Sequence, residues 1–203
     1  MIAHHVHLLG GVEFDSPSAA RELLSRPGRI ALLAWLAAHA QTGPRQRDEI
    51  IGLFWPESGE DNARTSLRQA LHLLRRALGD DAILNRGTAL QLNTSAVSCD
   101  VVHFDRAVRN GHDADAIRLY RGHFLDGMIV PGAYDVMEWI ALAQRRRREH
   151  AIAAAIRVAE RAMAAGDLHL AVRTVQRAAD LLPPDDRLHA RLDEIARAAQ
   201  GVG

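Results

Sequence analysis

The sequence predicts a mainly α chain with a small β component, an N-terminal winged helix-turn-helix followed by an all-α tetratricopeptide-like domain. Three observations predict it. Aromatic residues make up only 4% of the chain while alanine and leucine abound, which favours close-packed helices over a large sheet. Residues 62–79, NARTSLRQALHLLRRALG, place Ala63, Leu67, Ala70, Leu71, Leu74 and Leu78 on one side of a helix, and two short strand-like runs follow. From residue 100 onward the pattern is helical throughout, with small residues at regular offsets. With 203 residues and 48% hydrophobic content the chain can bury two small cores, divided here into residues 1–97 and 98–203.

Taken in order, residues 4–15 alternate weakly around Gly10-Gly11, which suggests two short strands and a tight turn. Ser16-Pro17-Ser18 reads as a polar turn. Residues 29–40 pack Ile30, Leu32, Leu33, Trp35 and Leu36 so densely that they predict a nearly buried helix, the core of the first domain. Residues 46–55 form a second helix with Ile50, Ile51, Phe54 and Trp55 inward, ended by Pro56. Ser58 and Asp61 have the spacing of a capping box, which places the start of the third helix. Residues 82–84 and 89–92 flank the turn-forming Asn85-Arg86-Gly87-Thr88 and predict a hairpin.

In the second half, Asp100 is expected to cap a helix running to residue 110, and residues 113–121 to form a short one. An irregular stretch with Gly127, Pro131 and Gly132 precedes a long helix over residues 134–165, followed by helices to residue 182 and from residue 185. Ala159, Gly166, Ala171, Ala178 and Pro183 sit at offsets typical of a tetratricopeptide helical hairpin of about 34 residues, and Gly111, Ala116 and Tyr120 repeat part of that pattern earlier. A plain helical bundle with alanine-rich contacts is the alternative.

The polar side of the third helix shows Arg64, Thr65, Arg68, Gln69, His72, Arg75 and Arg76 and no acid. Such a face suits a helix laid against DNA, although arginine-rich faces are also often solvated surface. The surrounding order of strand pair, helix, helix, basic helix and hairpin is that of a winged helix and favours DNA. Net charge is zero, so nucleic acid would be met by a local patch and not by bulk charge. All 25 basic residues are arginine, the residue suited to bidentate phosphate and guanine contacts.

Several spaced motifs, in order, resemble one family. ALLAWLA within residues 31–37, LFWPE at residues 53–57 and ARTSLRQALHLLRRALGDD at residues 63–81 resemble the SARP-type bacterial transcriptional activators. Cys99 to Asp105 (CDVVHFD), Leu119 to Gly127 (LYRGHFLDG) and Glu138-Trp139 resemble their bacterial transcriptional activator domain (BTAD). The resemblance implies an OmpR-type winged helix joined to tetratricopeptide-like helices, a transcription activator that binds promoter repeats of double-stranded DNA and recruits RNA polymerase; because a single small domain rarely suffices, a homodimer on the DNA is expected. By position it makes Arg64, Thr65, Arg68, Gln69, His72, Arg75 and Arg76 candidate DNA contacts and puts Arg86 on the wing. Glu57, Glu60 and Asp61 become polymerase-contact candidates, although helix capping accounts for the same acids. The helical half is shorter than the family's usual one, so the chain is a compact member or part of a longer regulator.

The competing reading is a protein interaction module or regulatory fragment whose winged helix binds no DNA. Enzyme chemistry finds little support: no phosphate-binding glycine loop, nucleophile elbow or catalytic Cys/His pairing is present, and no catalytic residue or cofactor is expected. His4, His5 and His7 suggest a metal cluster, but alternation on an edge strand accounts for them and no metal is expected. Cys99 lacks a disulfide or metal partner and reads as a small buried residue. No run approaches the roughly 18 apolar residues of a membrane span, so a cytoplasmic chain without membrane contact is expected. Arg145 to Arg148 reads as a solvated helix face, with acidic partners as the alternative.

Overall fold

The computed structural model describes residues 4–182 and 184–200. It is mainly helical with a small β component: nine helices and two three-stranded sheets among those residues. Strand β1 (His4–His7) pairs antiparallel with β2 (Glu13–Phe14), and α1 (Pro17–Leu23) and α2 (Pro27–Ala38) follow. Next come β3 (Arg45–Gln46), α3 (Arg47–Phe54) and α4 (Glu60–Leu78), then a 3-10 turn at Asp80–Ala82. The hairpin of β4 (Ile83–Arg86) and β5 (Ala89–Leu92) leads to β6 (Val97–Cys99). The rest is helical: α5 (Asp100–Arg109), α6 (Asp113–Leu119), α7 (Tyr134–Ala164), α8 (Leu168–Leu181) and α9 (Asp186–Gln200).

Helix α2 is the hub of the first half. Every side chain from Ile30 to Ala37 is buried, because α1, α4, α5 and β5 surround it on all sides. Helix α4 packs its Leu67, Leu71, Leu74 and Leu78 stripe into the same core and leaves its polar face outside. The wing is three-stranded: β5 lies between β3 and β4, with Arg45 opposite Leu90 and Ile83 opposite Leu92.

Several local expectations change. Ser16-Pro17-Ser18 is a helix start and not a turn: Ser16 Oγ accepts from the Ala19 N–H at 3.4 Å and Pro17 takes the first helical position. The Ser58/Asp61 capping box is absent. The Ser58 N–H is used by the Trp55 carbonyl at 3.1 Å, so the helix starts later, with Gly59 as its cap residue. Asp100 does not cap α5 either; it is the first helical residue, after Cys99. Strand β1, expected at an edge, is the centre of the sheet β2-β1-β6, because β6 pairs with it in parallel, Val6 opposite Cys99.

That parallel pairing ties the N-terminus to the helical half, and the division at 97/98 falls inside β6. The buried Asp100 carboxylate accepts from the Leu8 N–H at 2.9 Å and the Leu9 N–H at 3.1 Å. Burial pushes this carboxyl up, and those two N–H groups oppose the shift. Next along, the Gly10 N–H reaches the His123 carbonyl at 2.9 Å and the Leu125 N–H reaches the Leu8 carbonyl at 2.8 Å. Gly122 makes the approach possible: a Cβ there would sit 3.0 Å from the Gly10 Cα. Most of the LYRGHFLDG motif thus forms the loop that receives the segment just after the first strand. Buried Leu125 holds a left-handed backbone at φ 52° to do so, a conformation that costs a leucine free energy.

In the second half, α7 packs against α6 and α8, and α8 against α9. Ala159, Ala171 and Ala178 are buried, which brings the helix axes close; Pro183 lies outside the described residues. Asp167 caps α8 by accepting from the Leu170 N–H at 2.9 Å. Near the same end of α7, the buried Asp113 carboxylate holds Arg157 at 2.6 Å and Arg161 at 2.8 Å, clasping α6 to α7. Burial would raise this carboxyl, but the hydrogen bonds from the two guanidinium groups outweigh it and keep it below the ordinary aspartate range.

Candidate nucleic-acid interface

Helix α4 turns 100° per residue, so Arg64, Arg68 and Arg75 fall within one narrow stripe with His72 beside them, while Thr65, Gln69 and Arg76 lie further round. Arg64, Arg68, Gln69, His72 and Arg76 are exposed; Thr65 and Arg75 are half-buried. Acids are confined to the first turn, where Glu60 and Asp61 complement the positive end of the helix.

The stripe borders a cleft of 610 Å³ between α3, α4 and the wing. Arg47, Arg64, Arg68 and Arg75 line it above an apolar floor of Ile51, Leu67 and Leu71, and Asp48 is the single acid of the lining. Most of these arginines bond to uncharged groups. Arg68 Nη2 donates to Thr65 Oγ1 at 3.0 Å. Arg75 donates twice to the Ile83 carbonyl, at 3.2 and 2.8 Å, and once to Asn85 Oδ1 at 3.2 Å. Asn85 Oδ1 also accepts from Arg47 Nη2 at 2.9 Å, so one wing residue gathers two arginines. The exception is Arg64, which pairs with Glu60 one turn back, both well exposed. Exposed pairs of that spacing contribute only about 0.3–0.5 kcal/mol, so an incoming phosphate can displace the glutamate.

The remaining candidates divide. Arg86 is exposed on β4, 3.4 Å from Gln91 Oε1, and extends the basic surface onto the wing. Arg76 faces away from the cleft and pairs with Glu22 of α1. Glu57, Glu60 and Asp61 stand exposed on the turn between α3 and α4 and the first turn of α4. Sequence reasoning did not single out Arg47, Asn85 or Thr88. Asn85 and Thr88 carried only a turn signal, and Arg47 only the start of a helix; what joins them is the pairing of β3 with β5, where the Arg47 N–H meets the Thr88 carbonyl at 3.2 Å.

Among the described residues no group of three His, Cys, Asp or Glu is placed to hold a metal, and no helix is long and apolar enough to cross a membrane. Cys99 is buried, and burial pushes its thiol well up, so it is an unreactive core residue.

No family model matches the chain, and no curated protein matches it significantly. A solved structure of Mycobacterium tuberculosis EmbR in complex with a low-affinity phosphopeptide is similar over 98% of this chain, at 20% identity and a TM-score of 0.46. The chain spans 66% of that protein's length. A likeness at this level leaves the functional argument on the residues of the cleft.

Proposed function

We propose that the chain is a sequence-specific DNA-binding transcriptional regulator, an activator of the SARP type working in the cytoplasm. The observation that carries the reading is the arginine stripe of α4, in which Arg68 and Arg75 have no counter-ion and Arg64 holds only an exposed glutamate, set beside a wing that continues it. Helix α4 enters the major groove; Arg47, Arg64, Arg75 and Arg86 neutralise phosphates, while Arg68, Gln69 and His72 meet base edges, arginine preferring guanine and glutamine adenine. Arg76, held by Glu22, contributes at the margin. One domain of this size reads a short half-site, so two copies on a direct or inverted repeat supply the affinity. Glu57, Glu60 and Asp61 face RNA polymerase from the turn ahead of α4. The tetratricopeptide-like helices α7 to α9 serve dimerisation or regulation.

Selection of random duplex DNA by the purified chain tests the proposal. Enrichment of a repeated motif, with a footprint over both half-sites, is the expected result. No enrichment at low salt contradicts it and leaves the interaction-module reading.

A further inference from the structure

A second cleft, which DNA binding does not use, lies where the end of α2 meets α5 and α7, with a volume of 490 Å³. That is the size of a pocket for a small organic molecule. Part of its wall is apolar: Val108 from α5, with Trp139 and Leu142 from α7. Trp139 is held edge-on to Phe124, ring centres 5.7 Å apart, and Leu142 is 59% exposed.

At the cleft lies a buried cation. Arg147 is 6% exposed; its Nη2 donates to Asp105 Oδ2 at 2.5 Å, its Nη1 to the Ala143 carbonyl at 3.4 Å, and its plane sits 4.6 Å from the Phe124 ring centre. Its Nε is buried and has no partner among the described residues. The buried pair of Arg147 and Asp105 is neutral as a whole, so the positive charge at the cleft comes from its neighbours. Arg109 and Arg146 also line the cleft, and neither has a carboxylate within 4.0 Å among the described residues. Asp105 is the single acid of the lining and is already spent on Arg147.

We propose that this cleft binds a small aromatic carboxylate, its ring against Trp139 and Leu142 and its charged end toward Arg109 and Arg146. Burial pushes the imidazoles of His39 and His150 down, so at neutral pH the positive charge of the site belongs to the arginines. Asp105 in the same wall opposes a dianion, which favours a carboxylate over a phosphate. The bound acid touches α2 on one side and α5 and α7 on the other, and so bridges the two halves of the chain.

The test needs no DNA and is independent of the DNA reading. The full chain is labelled with 15N, the Trp139 indole signal is assigned by its loss in Trp139→Phe, and phenylacetate, 3-phenylpropionate and indole-3-acetate are titrated in turn. At least one acid should move that signal saturably. Phenylacetamide, of the same shape without the charge, should bind about threefold to fivefold more weakly than phenylacetate, and Arg146→Gln should weaken the bound acid by a similar factor. Arg146 is exposed, so that variant keeps the fold. No saturable shift with any of the acids, an amide that binds as well as its acid, or displacement of the acid by equimolar inorganic phosphate would each overturn the proposal.

Discussion

Helices α4 and α7 are both rich in arginine, yet their arginines meet different fates. On α7, Arg147 is buried against Asp105 of α5, and Arg157 and Arg161 grip the buried Asp113 of α6. On the cleft side of α4, Arg68 and Arg75 bond to a hydroxyl, a carbonyl and a side-chain amide, none of which cancels their charge. The acids that neutralise α7 come from elements far away in sequence. The wing that meets α4 brings polar but uncharged groups instead. Helix α7 therefore commits Arg147, Arg157 and Arg161 to holding the fold, whereas the cleft side of α4 leaves Arg68 and Arg75 without a counter-ion.

The largest break in this comparison comes from removing an acid beneath α7. Asp105→Ala strands the buried Arg147 and should cost about 3 kcal/mol, a fall in Tm of roughly 6–12 °C by calorimetry, with DNA affinity per folded molecule unchanged. An equal loss of DNA affinity would mean the two halves are coupled. Asp113→Asn should cost less, about 2 kcal/mol, because Arg157 and Arg161 are half-exposed and regain water. The folded Asp113 carboxyl lies below its unfolded value, so its contribution is present at neutral pH and fades as pH falls below about 4. Denaturation curves against pH should accordingly show a shallower acid loss for Asp113→Asn than for the unaltered chain.

On α4 the signs reverse. Arg68→Ala should weaken specific DNA binding by about 1–3 kcal/mol in a mobility-shift assay while leaving stability within about 0.5 kcal/mol. Arg75 mixes the two roles, since it also holds the wing through the Ile83 carbonyl and Asn85. Arg75→Ala should lower stability by about 1 kcal/mol in urea and weaken DNA binding as well. Arg145→Ala, at an exposed position of α7, should change neither quantity by more than about 0.5 kcal/mol.

Local periodicity made much of this legible. The buried run of α2, the amphipathic stripe of α4 and the β4-β5 hairpin each follow from neighbours a few residues apart. The start of α1 was also written locally, as Ser16 before Pro17, but the same residues spell a turn. What local pattern could not carry was pairing across distance. Strand β6 is three residues long and gains meaning only beside β1, some ninety positions earlier, and the two-residue β3 only beside β5. Likewise, the Arg145 to Arg148 run reads as solvated surface, whereas Arg147 is buried because Asp105 and Phe124 enclose it. In the cleft, the arginines were visible in the sequence; the uncharged partners of Arg68 and Arg75, and the join of Arg47 to Asn85, needed the fold.

If the arginines on the cleft side of α4 are what meets DNA, the salt dependence of binding shows it most directly. For the selected duplex, log K against log salt should fall with a slope of about four to five for the unaltered chain and become shallower by about two in the Arg64→Ala, Arg75→Ala double variant, which removes two phosphate contacts. A slope that is the same in both proteins would contradict the account.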